Sequence, residues 1–549
     1  MRRAARLLGL ALALFGSAAQ AQVAAPPVSE SPIINRDRVD RQDPEIRQAA
    51  PPAKLPQAPP RVDAQAPSAI TLARVRFEGA TLPDETLRQA TDPFVGSALD
   101  RDVLQQLANA VTALYAKSDL AFYAVSIPAQ SGAGGVLTLR VVEGRIVDYA
   151  LKSRTRSTPT RVIAAHVRRL MRDTPTHKST LERTLSLLRD IPGQTVQASL
   201  RSTAKAGELV LDLDVRRKQV EVTLNLNNRG VVNVVSGVQA QVAVSINGLL
   251  REGDTTRLSG YVPLYPDRYQ FYTASHATPL GSGGTTLAVS GAYVRTRTRD
   301  LGIRGEAKQL GIVVAHPLIR SYRRNLTLTA SLDGTNSDNY YLDTAFGGFR
   351  TRALRLGASW SVVGKTSGYG VSTSVSQGLS GLGAQAIPGY SRTAFRKANV
   401  QATGVVQLSP ALTGRVTLRG QYSRDRLPTT EHFVLGGEGA GLAFRDGFLT
   451  ADEAVAGSAE LSWRVLGKAP AGRGLSIFAY ADGAAARSHA RPLYGLRSSD
   501  YELASVGAGA RITPVVAWTA TAQIAVPVKK PFPGVSGKTR FFFSITRNL

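Results

Sequence analysis

From Val220 to the C-terminus, the sequence alternates apolar and polar residues in segment after segment. In residues 326–332 (LTLTASL), leucine and alanine fall on one face and hydroxyl residues on the other, and residues 354–360 and 415–422 follow the same pattern. A period of two places successive side chains on opposite faces of a β-strand. At about 20 residues per strand and turn, this segment of about 330 residues predicts about 16 strands.

A sheet of this size with one apolar face fits a transmembrane barrel better than a soluble β-sandwich, which also alternates but has fewer strands. The polar face is rich in hydroxyl groups and arginines, as a wet lumen requires. Closure of the sheet satisfies the backbone hydrogen bonds in lipid. We therefore expect a mainly β fold with an antiparallel transmembrane barrel over residues 218–549. We expect Arg355, Arg415 and Arg419 to line its pore.

The N-terminus predicts export. Three arginines among the first six residues precede a short apolar run over residues 7–15, and small residues at 19–21 form a cleavage site. The apolar run is too short to span a membrane, which takes about 20 residues. We therefore predict a signal peptide over residues 1–21.

Residues 22–68 contain ten prolines and predict an extended linker. Within it, residues 35–48 form a short and highly charged segment without an apolar face. This segment is a candidate plug helix.

Two similar α/β units follow the linker, over residues 69–146 and 147–217. In the first, apolar residues recur at helical spacing through residues 100–119, with short strands on either side. In the second, the breaker pair Pro192-Gly193 ends a helix before two further strands. Each unit reads β-α-α-β-β, which indicates an internal repeat.

The net charge and the absence of cysteine limit the classes of partner and ligand that this chain can have. The chain has a formal net charge of +27 and no cysteine, so a disulfide framework and cysteine metal sites are excluded. Its arginines do not cluster with aromatic residues, and the chain is exported, so we expect no nucleic acid. A positive pore or contact with lipopolysaccharide phosphates fits better.

Residues 534–539 resemble a phosphate loop but lack its first glycine, since residue 532 is Phe. We expect no enzyme activity and no cofactor or metal.

From about residue 70 to the end, the chain resembles the two-partner secretion transporters of the outer membrane, the haemolysin secretion/activation type within the POTRA-plus-barrel superfamily. The resemblance rests on residues 115–130 (YAKSDLAFYAVSIPAQ), 135–146 (GVLTLRVVEGRI) and 187–193 (LLRDIPG), with Asp190, Pro192 and Gly193 in the last string. It implies periplasmic POTRA domains, a barrel in the outer membrane and a secreted partner protein.

The resemblance also implies a loop that enters the lumen and places an arginine against an aspartate on the wall. Counting back from Asp452 puts Leu442 at the arginine position, within residues 441–444 (GLAF). A one-residue insertion instead gives Arg445, Gly447 and Phe448. The wall motif is Tyr480 and Asp482. A carboxylate in a partly desolvated lumen needs a cation that pairs with both of its oxygens, and Arg445 is our candidate.

These features predict a monomeric transporter that receives an unfolded partner at its POTRA strand edges and passes it through the barrel. An insertase for other barrels is an alternative. A passive pore or surface adhesin is an alternative of a different class.

Overall fold

The computed structural model describes residues 59–549, except for residues 65–69, 131, 154, 156, 231–233, 235–236, 264–266, 299–301, 343, 468–473, 515–516 and 536. The predicted signal peptide and the candidate plug helix lie outside the described residues.

The first α/β domain packs two helices on a four-stranded sheet of order β1-β3-β4-β2. Asp100 begins the longer helix by accepting a hydrogen bond from the backbone of Val103 at 2.7 Å, and the predicted helical stripe is buried in the core. β1 lies inside the predicted linker, where it pairs in parallel with β3. The elements are β1 (Arg61–Val62), β2 (Arg74–Glu78), α1 (Asp84–Thr91), α2 (Arg101–Lys117), β3 (Tyr123–Ile127) and β4 (Val136–Glu143).

The second α/β domain repeats the first with a three-stranded sheet of order β5-β7-β6. Its elements are β5 (Arg145–Ser153), α3 (Thr160–Met171), α4 (Lys178–Asp190), β6 (Gln194–Ser202) and β7 (Glu208–Arg217). The predicted β-α-α-β-β order is thus present in both domains. Among the described residues, no helix is both long enough and apolar enough to cross a membrane.

The rest of the chain forms one closed antiparallel barrel of sixteen strands, as the alternation predicted. The last strand pairs with the first, with Ser544 opposite Asn227, so no sheet edge remains open along the barrel. The strands are β8 (Val220–Asn227), β9 (Gln239–Asn247), β10 (Thr255–Pro263), β11 (Tyr269–Leu280), β12 (Thr285–Arg297), β13 (Ile303–Arg320), β14 (Arg324–Tyr341), β15 (Thr344–Val363), β16 (Ser367–Gly378), β17 (Arg396–Gln407), β18 (Leu412–Tyr422), β21 (Glu453–Leu466), β22 (Gly474–Ser488), β23 (Ser499–Thr513), β24 (Trp518–Lys529) and β25 (Arg540–Asn548).

The outer wall is apolar and the inner wall polar. On β15, Leu354 and Leu356 are 46% and 55% exposed on the outside, while Arg355 between them points inward and is 4% exposed. Trp360, Trp463 and Trp518 all lie on the outer wall near the barrel end that faces the second α/β domain. Aromatic residues at this level are typical of a membrane interface.

A long connection between β18 and β21, residues 423–452, is named here the inserted loop. It contains the short strands β19 (Phe433–Leu435) and β20 (Leu449–Ala451), which pair with each other apart from the barrel sheet. Its tip packs in a hydrophobic cluster with inward side chains of β22, β23, β24 and β25. The loop therefore folds into the lumen.

Candidate functional site

The second α/β domain docks on the adjacent barrel end through α4. Arg183 donates hydrogen bonds from its guanidinium to the backbone carbonyls of Gly283, Pro317 and Leu318, at 2.8 to 3.1 Å. Gly283 lies in the turn between β11 and β12, and Pro317 and Leu318 lie near the end of β13. One long side chain therefore ties the helix to two hairpins.

The LLRDIPG string closes the same interface. Asp190 accepts two hydrogen bonds from the guanidinium of Arg320, each 2.6 Å long. Gly193 has φ +69° and lies against Asn247, where a Cβ atom would collide with the Asn247 side chain. Pro192 borders the lumen cavity described below. The geometry thus gives this string a docking role.

The first helix of this domain, α3, is also held by a barrel turn. Glu252 accepts a hydrogen bond from the backbone amide of Arg161 at 2.7 Å, in the first turn of α3. A carboxylate there satisfies an unpaired amide and complements the helix dipole. Further along α3, His166 is buried near the backbone of Ser282.

A cavity of about 610 Å³ runs from this interface into the lumen. At one end it is lined by His166 and Asp190, and at the other by Glu438 and Ala440 of the inserted loop. The cavity therefore joins the docked α/β domain to the inserted loop.

The tip of the inserted loop reaches the wall at Asp482. The Asp482 carboxylate accepts hydrogen bonds from the backbone amides of Leu442 at 2.8 Å and Gly441 at 3.2 Å. It also accepts one from the Ser505 hydroxyl, which in turn accepts from the amide of Ala443 at 3.2 Å. We name this set of contacts the amide latch.

The predicted Arg445–Asp482 ion pair is not formed in the described part of the chain, and this prediction is wrong. Leu442 occupies the place beside Asp482, which favours the direct count over the one-residue insertion. Two backbone amides and a hydroxyl satisfy the carboxylate without a cation. Asp482 itself is at the predicted contact point.

The other predicted loop residues lie beyond the latch. The Arg445 carbonyl accepts a hydrogen bond from the amide of Phe448 at 3.1 Å. Phe448 stacks on Phe532, with ring centroids 6.2 Å apart. Gly447, directly before Phe448 in sequence, has φ +74°. Tyr480 donates a hydrogen bond to the Ile524 carbonyl at 3.1 Å.

The beginning of the inserted loop is held by buried charges. Glu431, 0% exposed, lies 2.8 Å from Arg355 and 2.7 Å from Lys397. Arg355 also pairs with Asp333 at 2.5 Å. Of the predicted pore-lining arginines, Arg355 therefore faces the lumen with its charge neutralised by two carboxylates.

Arg419 lines the cavity directly, and Arg415 lies on the same face of β18. Both alternate with outward-facing Val416 and Leu418. Directly across the ladder from Arg415 is Glu460.

The end of the inserted loop is tied to a neighbouring loop. Asp452 is 0% exposed and accepts from the backbone amides of Leu427 and His489, each at 2.8 Å. It also pairs with Arg491 at 3.0 Å, and the Arg491 guanidinium stacks on Tyr390 at 4.6 Å.

These buried partners were not predicted from the sequence. For those that lie on strands, the alternation of the sequence does show that their side chains point inward. Those that complete the two charge clusters and the latch are Asp333, Lys397, Glu431, Asp452, Arg491 and Ser505. Within the described ranges, no group of three or more His, Asp or Glu side chains is arranged to hold a metal ion.

Comparison with known proteins gives family matches for the first α/β domain and for the barrel. The family model described as haemolysin secretion/activation protein ShlB/FhaC/HecB matches residues 207–512, and the POTRA domain, ShlB-type, matches residues 70–144. The outer membrane transporter CdiB of Dickeya dadantii (strain 3937) is 23% identical in an alignment 504 residues long, which covers 86% of this chain and 86% of that one.

Solved structures share the fold. CdiB from Escherichia coli superimposes with a TM-score of 0.74 at 18% identity, over 96% of this chain and 100% of that one. CdiB from Acinetobacter baumannii gives 0.62 at 16% identity, over 94% and 96%.

Two α/β domains, the second of them docked on a sixteen-stranded barrel with an inserted loop, define an outer-membrane transporter with periplasmic POTRA domains. The family match covers more than half of the chain, and the chain belongs to the haemolysin secretion/activation (ShlB/FhaC/HecB) family of two-partner secretion. Membership implies a secreted partner protein.

Proposed function

We propose that this transporter takes up its unfolded partner at the POTRA strand edges and exports it through the lumen after the inserted loop has moved. The observation that carries the proposal is the cavity from the second POTRA domain to the inserted loop. The loop blocks the far end, and the amide latch holds it through separable hydrogen bonds rather than covalent links.

The receiving edge fits β6, because it pairs with β7 on one side only. An extended peptide can add a strand to such an edge through backbone hydrogen bonds. The corresponding edge of β3 in the first domain is already covered by β1. The single-chain closure of the barrel supports a monomer, and the net charge supports contact with lipopolysaccharide.

Loop movement can be tested with a disulfide, since the chain has no cysteine of its own. Ala443→Cys with Ser505→Cys joins the loop tip to the wall at a contact seen in the structure. Co-expression with the secreted partner protein should give export in reductant and none after oxidation. The single-cysteine variants are the matched controls, and export by the oxidised pair would refute loop movement.

Strand addition is tested by proline scanning through β6, because proline cannot donate to a new ladder. Export should fall while the heat-modifiable gel mobility of the barrel stays normal. The same scan in β2, which is the one-sided edge of the first domain, tests whether that edge receives the partner instead. Undiminished export after the β6 scan would reject the β6 edge, and recovery of the partner in the membrane rather than the medium would favour an insertase.

A further inference from the structure

The outer wall of β12–β15 rises above the apolar band at the far end of the barrel. β13, β14 and β15 are 18, 18 and 20 residues long, and no other described strand exceeds 15 residues. On these three strands, the outward residues nearer the α/β domains are apolar. Ile312, Leu332 and Leu354 are examples, and the pairing register places them side by side. Leu310, one level above Ile312, is still apolar, and beyond it the outward residues of β13 are charged.

The outward residues above the band are strongly basic. The pairing register places Arg297 beside Arg304, then Arg295 beside Glu306 one level below. These residues and their neighbours are named here the basic rim. Its charged members are Arg295, Arg297, Arg304, Glu306, Lys308, Asp338, Arg350 and Arg352.

Ion pairs within the basic rim neutralise only part of its positive charge. Lys308 pairs with Glu306 at 3.1 Å, and Arg350 pairs with Asp338 at 2.8 Å. Six basic side chains face two acidic ones, so four positive charges remain in excess.

The guanidiniums of Arg295 and Arg297 are open to an anion, whereas that of Arg304 stacks on the Tyr340 ring at 4.4 Å. Arg352 donates to the backbone carbonyls of Leu382 and Thr351. Among the described residues, neither Arg295 nor Arg297 makes an ion pair. Their guanidinium forks are therefore available for an oxyanion.

The opposite wall differs at the same level. Outward Arg487 pairs with Asp500 at 2.7 Å, and Lys529 pairs with Glu502. With Glu453 across the ladder from Arg487, that wall carries no positive excess. The basic rim is therefore a local feature rather than a consequence of the net charge of the whole chain.

Orientation decides the ligand class. The POTRA domains dock at the other end of the barrel, so the rim lies at the outer leaflet of the outer membrane. The lipid there is lipopolysaccharide, whose lipid A carries two phosphates above its acyl chains. Arginine forks match phosphate geometry, and the apolar residues directly below match the acyl chains.

We propose that the basic rim on β12–β15 is a binding site for bis-phosphorylated lipid A, with Arg295 and Arg297 forking onto phosphate and Lys308 contributing charge beside them. The acyl chains lie along the outward leucines and isoleucine beneath. The site fixes one side of the barrel against the lipopolysaccharide leaflet and is separate from the lumen.

The experiment uses the purified full chain in detergent and measures lipid adducts by native mass spectrometry. Bis-phosphorylated lipid A should bind the parent, and the triple variant Arg295→Gln, Arg297→Gln, Lys308→Gln should bind at least about tenfold more weakly, since each basic residue near an anionic lipid surface contributes severalfold. Arg487→Gln on the opposite wall is the matched control and should bind like the parent. The parent should bind dephosphorylated lipid A as weakly as the triple variant binds the phosphorylated form.

Equal binding by parent and triple variant would overturn the proposal. Equal binding of phosphatidylglycerol and lipid A by the parent would also overturn it, because the rim would then be a generic anionic surface. If the triple variant fails the heat-modifiable mobility assay, Arg297→Gln alone replaces it. That variant should weaken binding several-fold, and unchanged binding would reject the site.

Discussion

At the scale of single residues, the most informative position is Asp482. A buried carboxylate costs free energy unless hydrogen bonds satisfy it, and a cation is only one way to supply them. Here two consecutive backbone amides at Gly441 and Leu442 do so, with Ser505. Gly441 has φ +103°, and a Cβ atom there would collide with Leu503, so glycine lets the loop backbone approach the wall.

Because the donors of the amide latch are neutral, removing the charge of Asp482 should matter less than removing its hydrogen-bond acceptor. Asp482→Asn should keep the loop closed, because the amide oxygen can accept from the backbone and the amide nitrogen can donate to Ser505. Asp482→Ala should leave the buried amides unpaired, at a cost on the order of 1–3 kcal/mol. Planar-bilayer recordings should show more frequent large openings for Asp482→Ala than for Asp482→Asn.

Arg445→Ala is the matched control, and it should behave like the parent because Arg445 makes no contact with Asp482. If Asp482→Asn opened the pore as much as Asp482→Ala, the negative charge itself would hold the loop, and a cation would have to answer it.

At the scale of elements, periodicity predicted the strands and helices. Lipid outside and water inside impose a period of two on each barrel strand, and a one-sided core imposes the helical stripe of α2. The inserted loop lacks both constraints. Its contacts depend on backbone amides and on partners such as Glu431 and Arg355, which are 76 residues apart, so local patterns carry no information about them.

The Asp190–Arg320 pair should fix the second POTRA domain to the barrel. The pair is bidentate and mostly shielded from water, so we expect Asp190→Ala to cost about 1–3 kcal/mol of docking free energy. Hydrogen exchange in α4 should rise, and export should fall. Exchanging the charges, with Asp190→Arg and Arg320→Asp together, should restore part of the protection that each single change removes. Additive losses in the double variant would show that the two residues act independently.

His166 predicts that acid weakens the same interface. Burial, with repulsion from Arg169, lowers the pKa of His166 below its ordinary value of 6.5, although Asp190 and the Ser282 backbone oppose this. The docked state therefore binds fewer protons than the open state, so its stability falls as pH drops below about 6.5. Hydrogen exchange in α3 of the full chain should increase between pH 7.5 and 5.5.

His166→Gln is the comparison, because a buried amide has no proton to gain in this range. Its exchange should change little over the same interval. A parent protein whose α3 exchange is independent of pH after correction for the intrinsic rate would contradict the role of His166.

At the scale of the whole molecule, three layers of contact hold a wide barrel closed. The POTRA dock covers one end, two buried charge clusters hold the two ends of the inserted loop, and the amide latch seats its tip. Pairing β25 with β8 makes the wall continuous, so in the proposed function ions and polypeptide share the lumen as their route. The lumen charge that they meet differs from the charge that sequence alone predicted, because Arg355 is neutralised.

The lumen-facing arginines Arg415 and Arg419 of β18 predict the ion selectivity of the pore. Purified protein in planar bilayers should conduct in small steps, because the inserted loop fills part of the lumen, and it should prefer anions at low salt. Salt should weaken the preference by screening Arg415 and Arg419. Arg415→Gln with Arg419→Gln should move the reversal potential toward cation preference, while Arg487→Gln, on the outer wall, should leave it unchanged. A cation-selective parent would mean that the carboxylates of the lumen, among them Glu460 opposite Arg415, set the local potential instead.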